Sequence, residues 1–177
     1  MNNDGIKLLD LIDASMLQKI QDEFSSFSGM AALTTDQFGT PLTKGSNFTK
    51  FCFALTRNSP EGHRRCENCD KMGAGLVDFA APIIVEGRFI GSFIGGQVLT
   101  EDYNESEIRR IANELEIDEE EYVNAIKEIN LIPRKDVEKN ANFLGVVASI
   151  LSNMAFKSYQ SFNLLKKSAH EQNKFIV

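Results

Sequence analysis

The chain has 177 residues, 42% of them hydrophobic, with 13 Phe and no Trp, which predicts one domain around a phenylalanine-rich core. A net charge of −6 argues against a nucleic-acid surface, because phosphate backbones need clustered Lys and Arg. No apolar run is long enough to span a membrane, the opening MNNDGIKLLD lacks a signal-peptide pattern, and three cysteines, an odd number, predict reduced thiols in the cytoplasm.

Leu8 to Ile12 is a short apolar lead-in. Asp13 or Ser15 can cap a helix carrying Leu17, Ile20, Phe24 and Phe27 at three- and four-residue steps, and Gly29 stops it. Met30 to Thr35 reads as a strand, Asp36 to Gly39 as a turn, and Thr40 to Thr43 as a short return strand broken by Pro41. FTKFCFAL, from Phe48 to Leu55, is a short helix or strand whose aromatic density predicts burial, with Cys52 as a buried thiol. Ser59-Pro60-Glu61 supplies a capping hydroxyl, a proline at the first helical position and an acid at the positive end of the dipole. The helix it starts runs through His63, Cys66 and Cys69 to about Met72.

Cys66-Glu67-Asn68-Cys69 is a CxxC. Three-residue steps on a helix place His63, Cys66 and Cys69 in a slanted row, and Cys52 would add a fourth soft ligand for zinc or an iron–sulfur cluster. Against a metal, there is one CxxC and only two His. Against thioredoxin-like chemistry, the motif lies inside a helix rather than at its start. Buried thiols, a metal or cluster site, and a redox switch all remain open.

The chain turns on Gly75 to Thr100, GLVDFAAPIIVEGRFIGSFIGGQVLT. Two apolar, β-rich runs flank Glu86-Gly87, a pair suited to a tight hairpin turn. Period two sets Phe89, Gly91, Phe93, Gly95, Gln97 and Leu99 on one face. That face reads either as a small-molecule floor with aromatic walls and bare glycine patches, or as ordinary core under a helix. Asp78 interrupts the first run, and a carboxylate there needs hydrogen bonds, a charge partner or a pocket.

Asn104 to Glu107 and Asp118 to Glu121 each start an amphipathic helix, and Pro133 ends the pair. From Arg134 to His170 the pattern is one long helix with two apolar stripes. One is a heptad series, Val137, Ala141, Leu144, Ala148, Leu151, Ala155, Ser158, Phe162, Leu165 and Ala169; the other is Phe143, Val147, Ile150 and Met154. Two stripes predict packing on the domain and also on a partner, the heptad series continuing as a parallel coiled coil of a homodimer. The expected division is 1–155 for the domain and 156–177 for a signalling helix.

NFTKFC, SPEGHRRCENCD, GLVDFAAPIIVEGRFIGSFIGGQVLT and the double helix that follows resemble the PocR sensory domain over about Leu8 to Met154. The resemblance implies an α+β fold, a PAS-like antiparallel sheet flanked by helices with a long C-terminal helix. It implies an input domain of bacterial or archaeal signalling proteins, fused to histidine kinases, chemoreceptor-like modules or transcription regulators. It also implies sensing of small hydrocarbon derivatives such as short diols and alcohols. Carried over by matching position, the pocket candidates are Phe48, Cys52, Cys66, Asp78, Phe79, Phe93, Gly95 and Gln97. None is catalytic, and Cys69 stands where many members have no thiol. Members also carry an additional helix end and strand, about twenty residues, where Lys71-Met72-Gly73-Ala74 here joins directly to Gly75.

The expectation is therefore a cytoplasmic sensor with no cofactor, binding a small molecule over Phe93 and Gln97 and relaying it through a paired helix to an output domain. The rival is a metal, iron–sulfur or redox sensor on Cys52, Cys66 and Cys69. An enzyme is not expected: no Ser-His-Asp order, phosphate loop or HExxH motif is present.

Overall fold

The computed structural model describes residues 6–67 and 74–174. After a single turn of 3-10 helix at Leu8–Asp10 comes helix α1, Ala14–Ser28. Asp13 caps it, its carboxylate accepting the N–H groups of Ser15 and Met16 and the Ser15 hydroxyl. Strand β1 (Ala31–Asp36) follows, then a loop, a π-helical turn at Phe51–Leu55, and helix α2 (Pro60–Glu67). Cys69 and the junction through Gly73 lie outside the described residues. Strands β2 (Leu76–Val85) and β3 (Arg88–Leu99) form the expected hairpin, with Glu86 and Gly87 both at positive φ in its turn. Helices α3 (Glu105–Glu114), α4 (Glu119–Lys127) and α5 (Arg134–Lys174) complete the chain. Asn104 and Asp118 cap α3 and α4 through their side chains.

The sheet is antiparallel with strand order β1-β3-β2, so the architecture is α+β with a long C-terminal helix. The return strand expected at Thr40–Thr43 does not form. Pro41 has no N–H to give a ladder, and the segment makes only an isolated bridge from Pro41 to Thr35, with another from Ser46 to Ala32.

Two apolar clusters hold the fold. One lies between one sheet face and helices α1 and α5, and joins Leu17, Phe24, Phe93, Ile83, Leu144, Ala148 and Leu151. The other joins the π-helical turn to α3 and α4 through Phe51, Ile108, Ile111, Tyr122 and Ile126, with Phe51 and Tyr122 stacked at 4.2 Å. Salt bridges lace the helical side, Arg65 of α2 reaching Glu61 and also Glu114 of α3.

The two stripes of α5 separate. Val137, Leu144, Ala148, Leu151 and Ala155 of the heptad series are buried against the domain's own sheet, so over that length they are not a partner seam. Of the second stripe, Phe143, Ile150 and Met154 are exposed, while Val147 packs against the first cluster. Phe156 and Tyr159 still pack on the first cluster, and Phe162 and Leu165 are exposed beyond it.

Candidate functional site

The hairpin's alternation breaks twice, and the breaks decide which side chains share a face. The register slips between Ile83 and Ile84 and again between Val77 and Asp78, leaving Ile90 and Gln97 as the extra residues of β3. Phe89 is consequently exposed while Ile90 is buried. Gln97 takes a positive φ of 55°, next to Gly96 at 150°.

Phe93 is fully buried, its ring edge-on to Phe24 at 6.1 Å. A methyl on Gly95 would meet the rings of Phe79 and Phe24 at 3.0–3.1 Å, and one on Gly91 would meet Leu8 and the Thr35 carbonyl. The glycine notches on this face are thus filled by the protein's own side chains. The expected ligand floor over Phe93 is core, because α1 delivers Phe24 and β2 delivers Phe79 into those notches. Phe79, Phe93 and Gly95 belong to this packing.

The opposite face carries Asp78. It pairs across from Gly96, and its Oδ1 accepts the Gln97 N–H at 2.8 Å. A methyl on Gly96 would lie 2.3 Å from that oxygen, so the bulge requires glycine. Along β2 the burial pattern alternates cleanly: Ala81, Ile83 and Val85 are buried, while Asp78, Ala80, Pro82 and Ile84 are exposed. Ile94, opposite Ala80, is half-buried. The tip of Asp78 is open to solvent but ringed by protein, and that surrounding mass pushes its carboxyl above the ordinary carboxylate value against the pull of the Gln97 N–H.

A hydrogen-bonded chain ties this strand to the π-helical turn. Gln97 Oε1 accepts from both the N–H and the hydroxyl of Thr49 at 3.1 Å, and Thr49 Oγ1 accepts the Cys52 N–H at 3.2 Å. Burial pushes the Cys52 thiol up to about 12; Thr49 lowers it, the charges of Asp78 and Cys66 raise it, and that of Arg57 lowers it. Cys52, Cys66 and Asp78 therefore share one electrostatic neighbourhood, in which Cys52 is a neutral thiol at neutral pH. Tyr122 stands beside both cysteines, fully buried, its hydroxyl 2.9 Å from Thr56 Oγ1, and burial raises its pKa. Cys66 rides on α2, which is seated by the Ser59 cap on the Gly62 N–H and by Arg65.

Phe48 and Gln97 line a separate cleft of about 180 Å³ with Asn47, Thr49, Lys50 and Asn130. Thr49, Tyr122 and Asn130 were not singled out by sequence reasoning. Thr49 had a signal, since it stands in NFTKFC between two predicted site residues. Among the described residues no group of three His, Cys, Asp or Glu side chains converges to hold a metal ion.

The family model for the sensory domain found in PocR matches residues 10–156. This chain belongs to that family. Regulatory protein PocR from Salmonella typhimurium is 24% identical, in an alignment covering 90% of this chain and 56% of that protein. The chain thus spans little more than half the length of that curated relative. No solved structure matches. Among the described residues no helix is long and apolar enough to cross a membrane.

Proposed function

We propose that this PocR sensory domain is the ligand-binding input of a longer signalling protein, and that it takes a small, uncharged, hydroxyl-bearing hydrocarbon derivative on the Asp78 face of the sheet. The observation that carries the reading is Asp78 itself, a carboxylate held by one oxygen on an otherwise apolar strand face, beside a neutral thiol. Its second oxygen would accept a ligand hydroxyl, while Ala80, Ile94 and Cys52 would meet the hydrocarbon. An anion is disfavoured there by Asp78.

Strand β2 carries Asp78 at one end. Near the other end the Ile84 N–H donates to Ser152 Oγ of α5 at 2.9 Å. A ligand that favours one position of β2 would bias α5 and, through it, an output domain, provided the two states bind it differently. In this reading residues 156–177 are the linker and α5 pairs with its twin. The setting is the cytoplasm, with no chemistry performed by this domain.

Ligand size limits affinity. At about 1.5 kcal/mol per heavy atom at best, a five-atom diol reaches only micromolar Kd. At a hundredfold excess over Kd, binding adds about 2.7 kcal/mol of stability, a rise of several degrees in Tm. A thermal-shift panel of short alcohols, diols and aldehydes is expected to show such a rise for at least one compound, and Asp78→Ala to abolish it. A flat panel with intact protein rejects the reading.

The shared neighbourhood of Cys52 and Cys66 supports a second reading, a zinc, iron–sulfur or redox site completed by Cys69. Metal content and visible absorbance of anaerobically purified protein separate the two.

A further inference from the structure

We propose that the outer faces of α1 and α5 together form the surface on which a second copy of this chain packs. This deepens the sensing reading and rests on it for its purpose, but the surface itself is read from exposed side chains. On α5, Phe143, Val146, Ile150 and Met154 fall within an arc of about 80° at 100° per residue, turned by about 125° from the buried Leu144, Ala148 and Leu151. Phe143, Val146 and Ile150 are 49%, 57% and 54% exposed. On α1, Met16 and Phe27 lie on one lane, and Phe27 is 73% exposed. The Phe27 and Phe143 rings meet at 6.1 Å and join the two lanes into one patch.

Size and repeat together select the occupant. These six side chains leave roughly 600 Å² of apolar surface open, at the upper end of what a monomer carries. Two copies facing each other would remove about 1,200 Å² from water, the lower range of specific, stable interfaces. On the α5 lane Phe143 and Ile150 stand seven residues apart, the period at which helices pack on one another, and Leu164 resumes that spacing after the charged Lys157. The sequence suggested the other stripe as the seam; its burial on the domain from Val137 to Ala155 leaves this lane as the one open to a second copy over that length. A membrane surface would ask for a basic rim, and Glu23 lies between Met16 and Phe27 on the α1 lane.

The test is sedimentation equilibrium of the whole chain over a dilution series. Wild type is expected to be a dimer. Val146→Glu/Ile150→Glu is expected to raise the dimer Kd by a hundredfold or more, and Phe27→Glu, on the other helix, by tenfold or more. Phe38→Glu, at an exposed site on the β1 turn, leaves it unchanged. Far-UV circular dichroism establishes that each variant is folded. A monomeric wild type, or a folded double variant that sediments like wild type, overturns the proposal. The alcohol and diol panel on the same samples keeps the two ideas apart: a dimer without a thermal response sinks the sensing reading alone, and a monomer with one sinks the interface alone.

Discussion

The two faces of one three-stranded sheet have opposite characters. On one, Phe24, Phe79, Phe93 and Leu8 fill every notch that glycine leaves, and α5 closes over them. On the other, β2 presents Asp78, Ala80, Pro82 and Ile84 to solvent, and a carboxylate sits where an apolar residue would cost nothing. Glycine in a strand therefore has two uses in this protein. Gly95 makes room for the protein's own rings, and Gly96 makes room for a polar bulge.

The sharpest way to break the comparison is to cut into the packed face. Phe93→Ala should lose about 3–5 kcal/mol in urea unfolding, the range for a buried aromatic. Ile84→Ala, on the open face, should lose far less, because its side chain is already 44% exposed. Comparable losses would show that the faces are not as distinct as described.

The sequence made the elements legible and misplaced the face. Caps at Asp13, Asn104 and Asp118, the Glu86-Gly87 turn and the long helix from Arg134 all lie where their side-chain chemistry puts them. Period-two reading assumed an unbroken β3. Two one-residue slips, at Ile90 and Gln97, cannot be seen in a run where all but Arg88 and Gln97 are apolar or small. The π-helical turn at Phe51–Leu55 was equally hidden, since its extra residue leaves no compositional mark. Asp78 lies on the opposite sheet face from Phe93, and the charges of Asp78 and Cys66 are both felt at the Cys52 thiol.

An intermediate effect is expected at the bulge. Gly96→Ala places a methyl against Asp78 Oδ1 and the Val77 carbonyl in a positive-φ backbone. It should cost about 1–3 kcal/mol and displace Asp78, so the thermal response to ligand should fall as well. Loss of stability with an undiminished response would separate the bulge from the site.

Asp78→Asn should have the smallest effect and the most informative pH dependence. The carboxyl's folded pKa is raised above its unfolded value, so the ionised form disfavours the fold. Its stabilising share is full below the unfolded pKa and is lost as pH rises through the folded one. The amide avoids that loss while still accepting the Gln97 N–H. Asp78→Asn should therefore be the more stable protein near neutral pH, with the advantage shrinking as pH falls through the raised folded pKa and gone below the ordinary carboxylate value. A pH-independent difference in Tm would mean the carboxylate is fully solvated.

The pin between Ile84 and Ser152 also limits what the sheet can do to its neighbours. Pro82 offers no N–H along the outer border of β2, and the next outward N–H, that of Ile84, is already occupied by a helix hydroxyl. The far border is similarly engaged, through the bridges of β1 to Pro41 and Ser46. Among the described residues both borders are thus blunted at these points against pairing with a foreign strand, which disfavours ribbon-like aggregation when the protein is crowded.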